Sequence, residues 1–234
     1  MPVTIFFLTF LAVIAGWWLL QQRLHAKPWL EEGVIGEFDG TGAMDMPAAK
    51  IGLGLFLAVV GTLFALLISA YFMRMGYADW QNIRVPQILW LNTGALAASS
   101  IALQTAQSAV YRRHIDGVRS RLIVAGAFGV LFLAGQFWAW HELTDSGFLL
   151  ASNPSNSFFY LITGLHGLHV IGGMAALGWV TDRAWRSQTA EPLRLPVEMC
   201  TLYWHFLLFV WIVLFSLLTG WADEFGAICR QLLT

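Results

Sequence analysis

The chain has 234 residues, 58% of them hydrophobic and only 12% charged, with 13 Lys and Arg against 14 Asp and Glu. Soluble domains carry about a quarter charged residues, so this composition points to a membrane protein. The net charge of −1 excludes the electrostatic footprint of a nucleic-acid binder, and two cysteines, Cys200 and Cys229, are too few for a disulfide framework or a Cys-rich zinc site.

Six charge-free apolar runs follow one another, at residues 3–20, 51–73, 86–110, 122–140, 157–180 and 200–222. A helix rises about 1.5 Å per residue, so about 20 residues cross a ~30 Å hydrocarbon core, and each run predicts a transmembrane helix. None alternates with period two, which excludes a porin-like barrel. The first run lacks the basic flank and cleavage site of a signal peptide and reads as a retained anchor. Behind it lies the one long polar insertion, with Glu31, Glu32, Glu37, Asp39 and Asp45. The expected organisation is an all-α, polytopic six-helix bundle. Residues 1–50 form an N-terminal transmembrane helix with a polar inner-side linker, and residues 51–234 a five-helix core.

Orientation follows from the basic residues between the runs. Arg23, Lys27, Lys50, Arg112, Arg113, Arg119, Arg121, Arg183, Arg186 and Arg194 fall on one side, and Arg74, Arg84 and Arg230 on the other. This asymmetry predicts both termini on the outer side.

Inside the runs there is no Lys, Arg, Asp or Glu; Glu198 lies just before the sixth. A stand-alone ion-coupled transporter needs such a group near the midplane, so that class is disfavoured. Neutral polar residues recur instead at helical spacing, Thr93, Ser100, Gln104 and Gln107 in the third run and Tyr160, Thr163, His166 and His169 in the fifth, and Glu198 forms a similar line with Thr201 and His205 at the sixth. In lipid these groups need partners, so the stripes are expected to face other helices or a cleft. Gly164, Gly167, Ala175 and Gly178 add a smooth face. Trp204 and Trp211, seven apart, form an aromatic face expected to pack against a partner, while Trp138, Trp140, Trp179 and Trp221 at the run ends read as interfacial anchors.

Histidines in two runs also raise b-type haem. From helical rise and orientation, His166 and His205 differ in depth by about 9 Å and His169 and His205 by about 4 Å, so only the second pair suits one iron. Neither cysteine sits in a copper-ligand cluster, and no nucleophile–base set or phosphate loop is present. The residues alone leave two readings open: a scaffold that docks on partner subunits or lipids, and a haem-b electron-transfer protein using His169 and His205.

Two segments add a resemblance. FFYLITGLHGLHVIGG at residues 158–173, and Tyr203-Trp204-His205-Phe206 followed by Val210-Trp211, resemble the signatures of subunit III of the haem–copper oxidases. Pro86 to Thr93, ending Leu91-Asn92-Thr93, is similar to a third family segment. The resemblance covers residues 51–223 and implies a non-catalytic subunit of a respiratory terminal oxidase, a cytochrome c oxidase, in a bacterial plasma membrane. Its close kin serve quinol oxidases or accompany nitric oxide reductases. It implies no cofactor in this chain, haems and copper in the partner subunits I (catalytic) and II (copper-bearing), bound phospholipid, and support of proton uptake and turnover lifetime during oxygen reduction to water.

Family members have seven helices, in groups of two and five around a lipid-filled cleft; here the first group is reduced to one. By position, Glu198 matches a family glutamate and Arg183 a basic residue that meets a lipid phosphate. Gln87 stands where many members have a glutamate, Leu208 replaces an aspartate, and residues 58–61 hold no carboxylate where another glutamate is expected. The candidates for lipid binding or subunit packing are therefore Arg183, Glu198, His205, Gln87, His166, His169, Trp204 and Trp211.

Overall fold

The computed structural model describes residues 48–81, 85–150 and 152–220. The expected first helix and its linker lie outside the described residues. Within them the chain forms α1 (Ala48–Met75), α2 (Ile88–Tyr111), α3 (Ile115–Asp145), α4 (Pro154–Arg186), a 3-10 turn at Glu191–Leu193 and α5 (Arg194–Leu218), with no strand. The protein is a transmembrane helical bundle. Four stretches, Ala49–Met75, Ile115–Asp145, Pro154–Arg186 and Glu191–Leu218, are long and apolar enough to cross a membrane. Of the six expected spans, the first lies outside the described residues, and α2, long enough at 24 residues but interrupted by Asn, Gln, Ser and Thr, is not among these four.

Local chemistry sets the helix ends. Asn153 caps α4, its side chain accepting from the Ser155 N–H at 3.0 Å, with Pro154 at the first helical position. Only three residues join α2 to α3. Arg113 turns the chain there in the left-handed region at φ 57°, and the His114 ring nitrogen Nδ1 accepts from the Gly117 N–H at 2.9 Å. A Cβ on Gly117 would lie 2.5 Å from that nitrogen, so the cap requires glycine. Arg119 then ties the start of α3 to the end of α4. It donates to the carbonyls of Ala184 at 3.1 Å and Ser187 at 3.0 Å, groups that the end of α4 leaves without intrahelical partners. In the last turn of α1, Arg74 pairs with Asp79, and this hydrogen bond holds the Asp79 carboxyl below its ordinary value.

The five helices close a ring in the order α1, α4, α3, α2, α5, with α4 and α5 also meeting across it. Lipid tails are as apolar as leucine, so helices in a bilayer associate through close packing and hydrogen bonds rather than through a gain in hydrophobic burial. Small residues supply the close approach. Ala95, Ala102, Ala106 and Ala109 of α2 are buried, mainly toward α3, and Asn92 fills the space above Gly135 that a Cβ would occupy. Trp204 of α5 lies against Gly129 of α3 and Gly173 of α4. Val60, Phe64 and Tyr71 seat α1 on α4 and α5.

At Gly173 a Cβ would lie 2.8 Å from the Tyr203 ring and 2.9 Å from the Trp204 ring, whereas at Gly167 it would meet nothing within 4 Å. Gly173→Ala is expected to cost about 1–3 kcal/mol through overpacking. Gly167→Ala should be neutral or stabilise by up to about 1 kcal/mol, because alanine restricts the unfolded chain. Thermal denaturation in detergent compares the two.

Candidate functional site

The two segments that carry the family resemblance meet where α4 crosses α5. His166 is fully buried, its ring centroid 5.0 Å from Trp211, 5.7 Å from Phe132 and 6.2 Å from Phe64. Neither of its ring nitrogens has a hydrogen-bond partner. Trp211 is equally buried; its indole N–H donates to the Thr93 hydroxyl at 2.9 Å, and Thr93 donates to the Leu89 carbonyl at 2.8 Å. Trp204 is buried between its two glycines. Of the candidates for lipid binding or subunit packing, His166, Trp204 and Trp211 therefore lie in the interior, the stripe that holds His166 facing other helices. All three are 0% exposed, and what they pack against is this chain's own helices.

His169 is half-buried against Phe64, with ring centroids 5.4 Å apart, and its Nδ1 donates to the Leu165 carbonyl at 2.8 Å. Tyr203 donates from its hydroxyl to the His169 carbonyl at 2.9 Å, which turns the Tyr203 side of α5 toward α4. Two residues further along a helix is a rotation of about 200°, so His205 points away from α4, and it is exposed. The structure does not bring His169 and His205 to one iron, and the haem-b reading fails on that rotation. Among the described residues, no three His, Cys, Asp or Glu gather in a way that would hold a metal ion.

At the end of the bundle where α5 begins, Glu198 pairs with Lys50 of α1 at 2.6 Å, both side chains about a third exposed. Sequence reasoning counted Lys50 only as a topology charge. Nothing in the spacing of two residues 148 positions apart announces an ion pair. The same end carries a row of arginines, most of them engaged: Arg113 with Glu191 at 2.9 Å, Arg119 with Asp116 at 3.1 Å, Arg186 with Asp182 at 3.0 Å. Arg183 differs. It is exposed, with its guanidinium carbon 5.4 Å from the centroid of the Trp179 ring, and it pairs with no carboxylate among the described residues. Gln87 lies far from this site, exposed at the start of α2 with no side-chain capping bond.

Sequence reasoning also missed Gln136, which is 4% exposed with both amide atoms unpartnered. It lines a groove of about 140 Å³ between α3 and α4 that runs over Gly164 and Gly167 and is walled by Phe137, Trp140 and Leu168. A lone glutamine in an apolar run was the available signal. Of the expected interfacial anchors, Trp138 and Trp179 are exposed, but Trp140 turns inward and donates to the Thr163 hydroxyl at 3.1 Å.

The sequence model of the family described as Cytochrome c oxidase subunit III matches residues 18–223. The chain belongs to that family. Similar proteins include the "Cytochrome c oxidase subunit 3" of Synechocystis sp., 34% identical over 175 residues, covering 71% of this chain and 72% of that one. The protein of the same name from Thermostichus vulcanus is 33% identical over 180 residues, 72% of this chain and 85% of its own. The "Probable cytochrome c oxidase subunit 3" of Nocardia farcinica is 31% identical over 172 residues, 71% and 85% respectively. The chain is thus a subunit of an oxidase complex. Its family segments act on each other: Tyr203 on the backbone of His169, Trp204 on Gly173, Trp211 on His166. In subunit III these residues build the helix crossing.

Thr93→Val would leave the Trp211 N–H without an acceptor inside the bundle. A loss of about 0.6–2 kcal/mol is expected. Adding Trp211→Phe should cost less in the Thr93→Val background than in the wild type, a coupling that a double-mutant cycle in detergent measures.

Proposed function

We propose that this subunit III is a non-catalytic scaffold in a terminal oxidase that takes electrons from cytochrome c, as the names of its relatives indicate. In this reading it sits beside a haem–copper subunit I and a copper-bearing subunit II in a bacterial plasma membrane. It holds phospholipid and sustains proton uptake and turnover lifetime while its partners reduce oxygen to water. Arg183 carries the lipid part of the reading. The guanidiniums of Arg119 and Arg186 are occupied by carboxylates, whereas that of Arg183 lies over Trp179 at a helix end, as that of Arg194 lies over Tyr111, and bonds to no described residue. A planar guanidinium held against an aromatic face presents a two-pronged donor edge that fits a lipid phosphate. The excess of basic residues at that end supports an inner-face location, with both termini outside.

The scaffold role is favoured by how the interior polar groups are used. Thr93, Thr163, Tyr203 and Trp211 are spent on helix-to-helix bonds, and Glu198 is neutralised by Lys50. With glutamine at position 87 and no carboxylate at 58–61, support of proton uptake does not run through a carboxylate at those points.

Removing the chain from the oxidase should leave initial oxygen consumption near normal while the enzyme inactivates faster over successive turnovers, followed with an oxygen electrode. An unchanged turnover lifetime would falsify the scaffold role. Arg183→Ala is expected to lower the phospholipid that co-purifies, read by lipid mass spectrometry, while Arg186→Ala leaves it unchanged; equal lipid in all three returns Arg183 to a topology charge.

A further inference from the structure

The outward faces of the bundle are of two kinds. On α1 the exposed face is Ile51, Leu55, Val59, Leu63 and Leu66, and the one hydroxyl among them, Thr62, closes onto the Val59 carbonyl at 2.8 Å. The flank shared by α2 and α5 is different. α2 turns Gly94, Ile101, Gln104, Thr105 and Ser108 outward, and α5 turns Leu202, His205, Phe209 and Ile212 outward. Thr105 and Ser108 satisfy their hydroxyls on the carbonyls of Ala102 at 2.8 Å and Gln104 at 3.0 Å. The Gln104 amide and the outer nitrogen of His205 make no bond to any described residue.

The His205 ring has a defined direction. Its Nδ1 lies 2.7 Å from the Thr201 carbonyl, which has no proton to give, so Nδ1 carries the hydrogen. In the neutral ring Nε2 is then an acceptor, on the exposed face. Thr201 also lies level with α2 next to Gln104, its hydroxyl 3.5 Å from the Leu103 carbonyl. At most one helical turn, about 6 Å, therefore separates the two unsatisfied groups in depth on the same flank. Counted from the ends of the apolar runs at residues 110 and 200, Gln104 and His205 both lie at depths of about 8–9 Å. Hydrocarbon tails at those depths can neither donate to an imidazole nor pair with an amide.

We propose that the α2–α5 flank is the surface seated against the catalytic subunit, and that what covers it is a transmembrane helix of that subunit. This helix brings a hydroxyl or amide N–H donor to His205 Nε2 and a second polar side chain to Gln104. The aliphatic face of α1 is left to lipid. The inference deepens the oxidase-subunit reading and rests on it. Two features besides the unpaired groups favour a helix as the occupant. α2, with its Asn, Gln, Ser and Thr residues, is not among the four apolar spans, and a Cβ on Gly94 would meet nothing within 4 Å, so another backbone can approach there.

The test places the photo-crosslinking residue benzoylphenylalanine at Ile101 or Phe209, and separately at Leu55 or Leu63, in the assembled complex. Adducts are identified by mass spectrometry. Ile101 and Phe209 should give adducts with the haem–copper subunit, and Leu55 and Leu63 adducts with lipid. The reverse pattern, or adducts at Ile101 and Phe209 to lipid alone, overturns the choice of flank. In a second measurement, Gln104→Leu combined with His205→Leu should cut retention of the haem–copper subunit on the tagged chain at least tenfold after a detergent wash, while Leu55→Ala with Leu63→Ala leaves retention as it was. Full retention by the double variant also overturns it. A wild-type chain that retains no haem–copper subunit before any substitution is made removes the oxidase-subunit reading itself, and the inference with it.

Discussion

Inside a bilayer no water is present to take up an unmade hydrogen bond, and this bundle is organised around that constraint. Its clearest expression is the crossing of α4 and α5. There the Tyr203 hydroxyl holds the His169 carbonyl, the Trp211 indole holds Thr93 on α2, and Trp204 fills the gap that Gly129 and Gly173 leave open. Three helices are fixed relative to α5 by one short segment of it. The remaining interfaces, with alanines between α2 and α3 and Phe64 beneath α1, pack around this crossing.

The same constraint separates polar groups by purpose. Thr93, Thr163, Tyr203 and Trp211 are paired inside the bundle, and Arg113, Arg119, Arg121 and Arg186 at the basic end meet a carboxylate or a carbonyl. What is left stands out by being unspent: Arg183 on its tryptophan, Gln104 and His205 on one outward flank, Gln136 under the α3–α4 groove. A subunit whose chemistry lies in its neighbours has this distribution, because its interior polar groups serve cohesion and its exterior ones serve contact. Not every buried polar atom is paired: Asn92 Nδ2, Ser100 Oγ and Trp204 Nε1 have no partner, and neither has His166. His166 is enclosed by aromatic rings with both nitrogens unpartnered, and nothing in the structure explains why a histidine occupies that position.

Much of the architecture was legible from the residues. Apolar runs at 51–73, 122–140, 157–180 and 200–222 lie within or overlap the four described helices that are apolar enough to span, since a segment that crosses hydrocarbon must satisfy its own backbone and does so as a helix. The polar stripes were visible as well, but not their partners. Spacing along one helix says which residues share a face; it does not say which way the face turns. Trp204 and Trp211 therefore read as an outward surface and are core, and Trp140 read as an interfacial anchor and bonds to Thr163. His169 and His205 passed a test of depth and fail on rotation, because depth depends on rise per residue and rotation on how the helix is docked.

By itself, then, the amino-acid order determined membrane residence, the succession of helices, the concentration of arginine at one end and the family segments, because each is a property of local composition and spacing. Tertiary structure alone decided that Lys50 neutralises Glu198, that Arg183 has no carboxylate while Arg119 and Arg186 do, and that Gln104 and His205 share an outward flank. Those are relations between residues distant in the chain, and they exist only once packing has chosen how each helix is turned about its own axis.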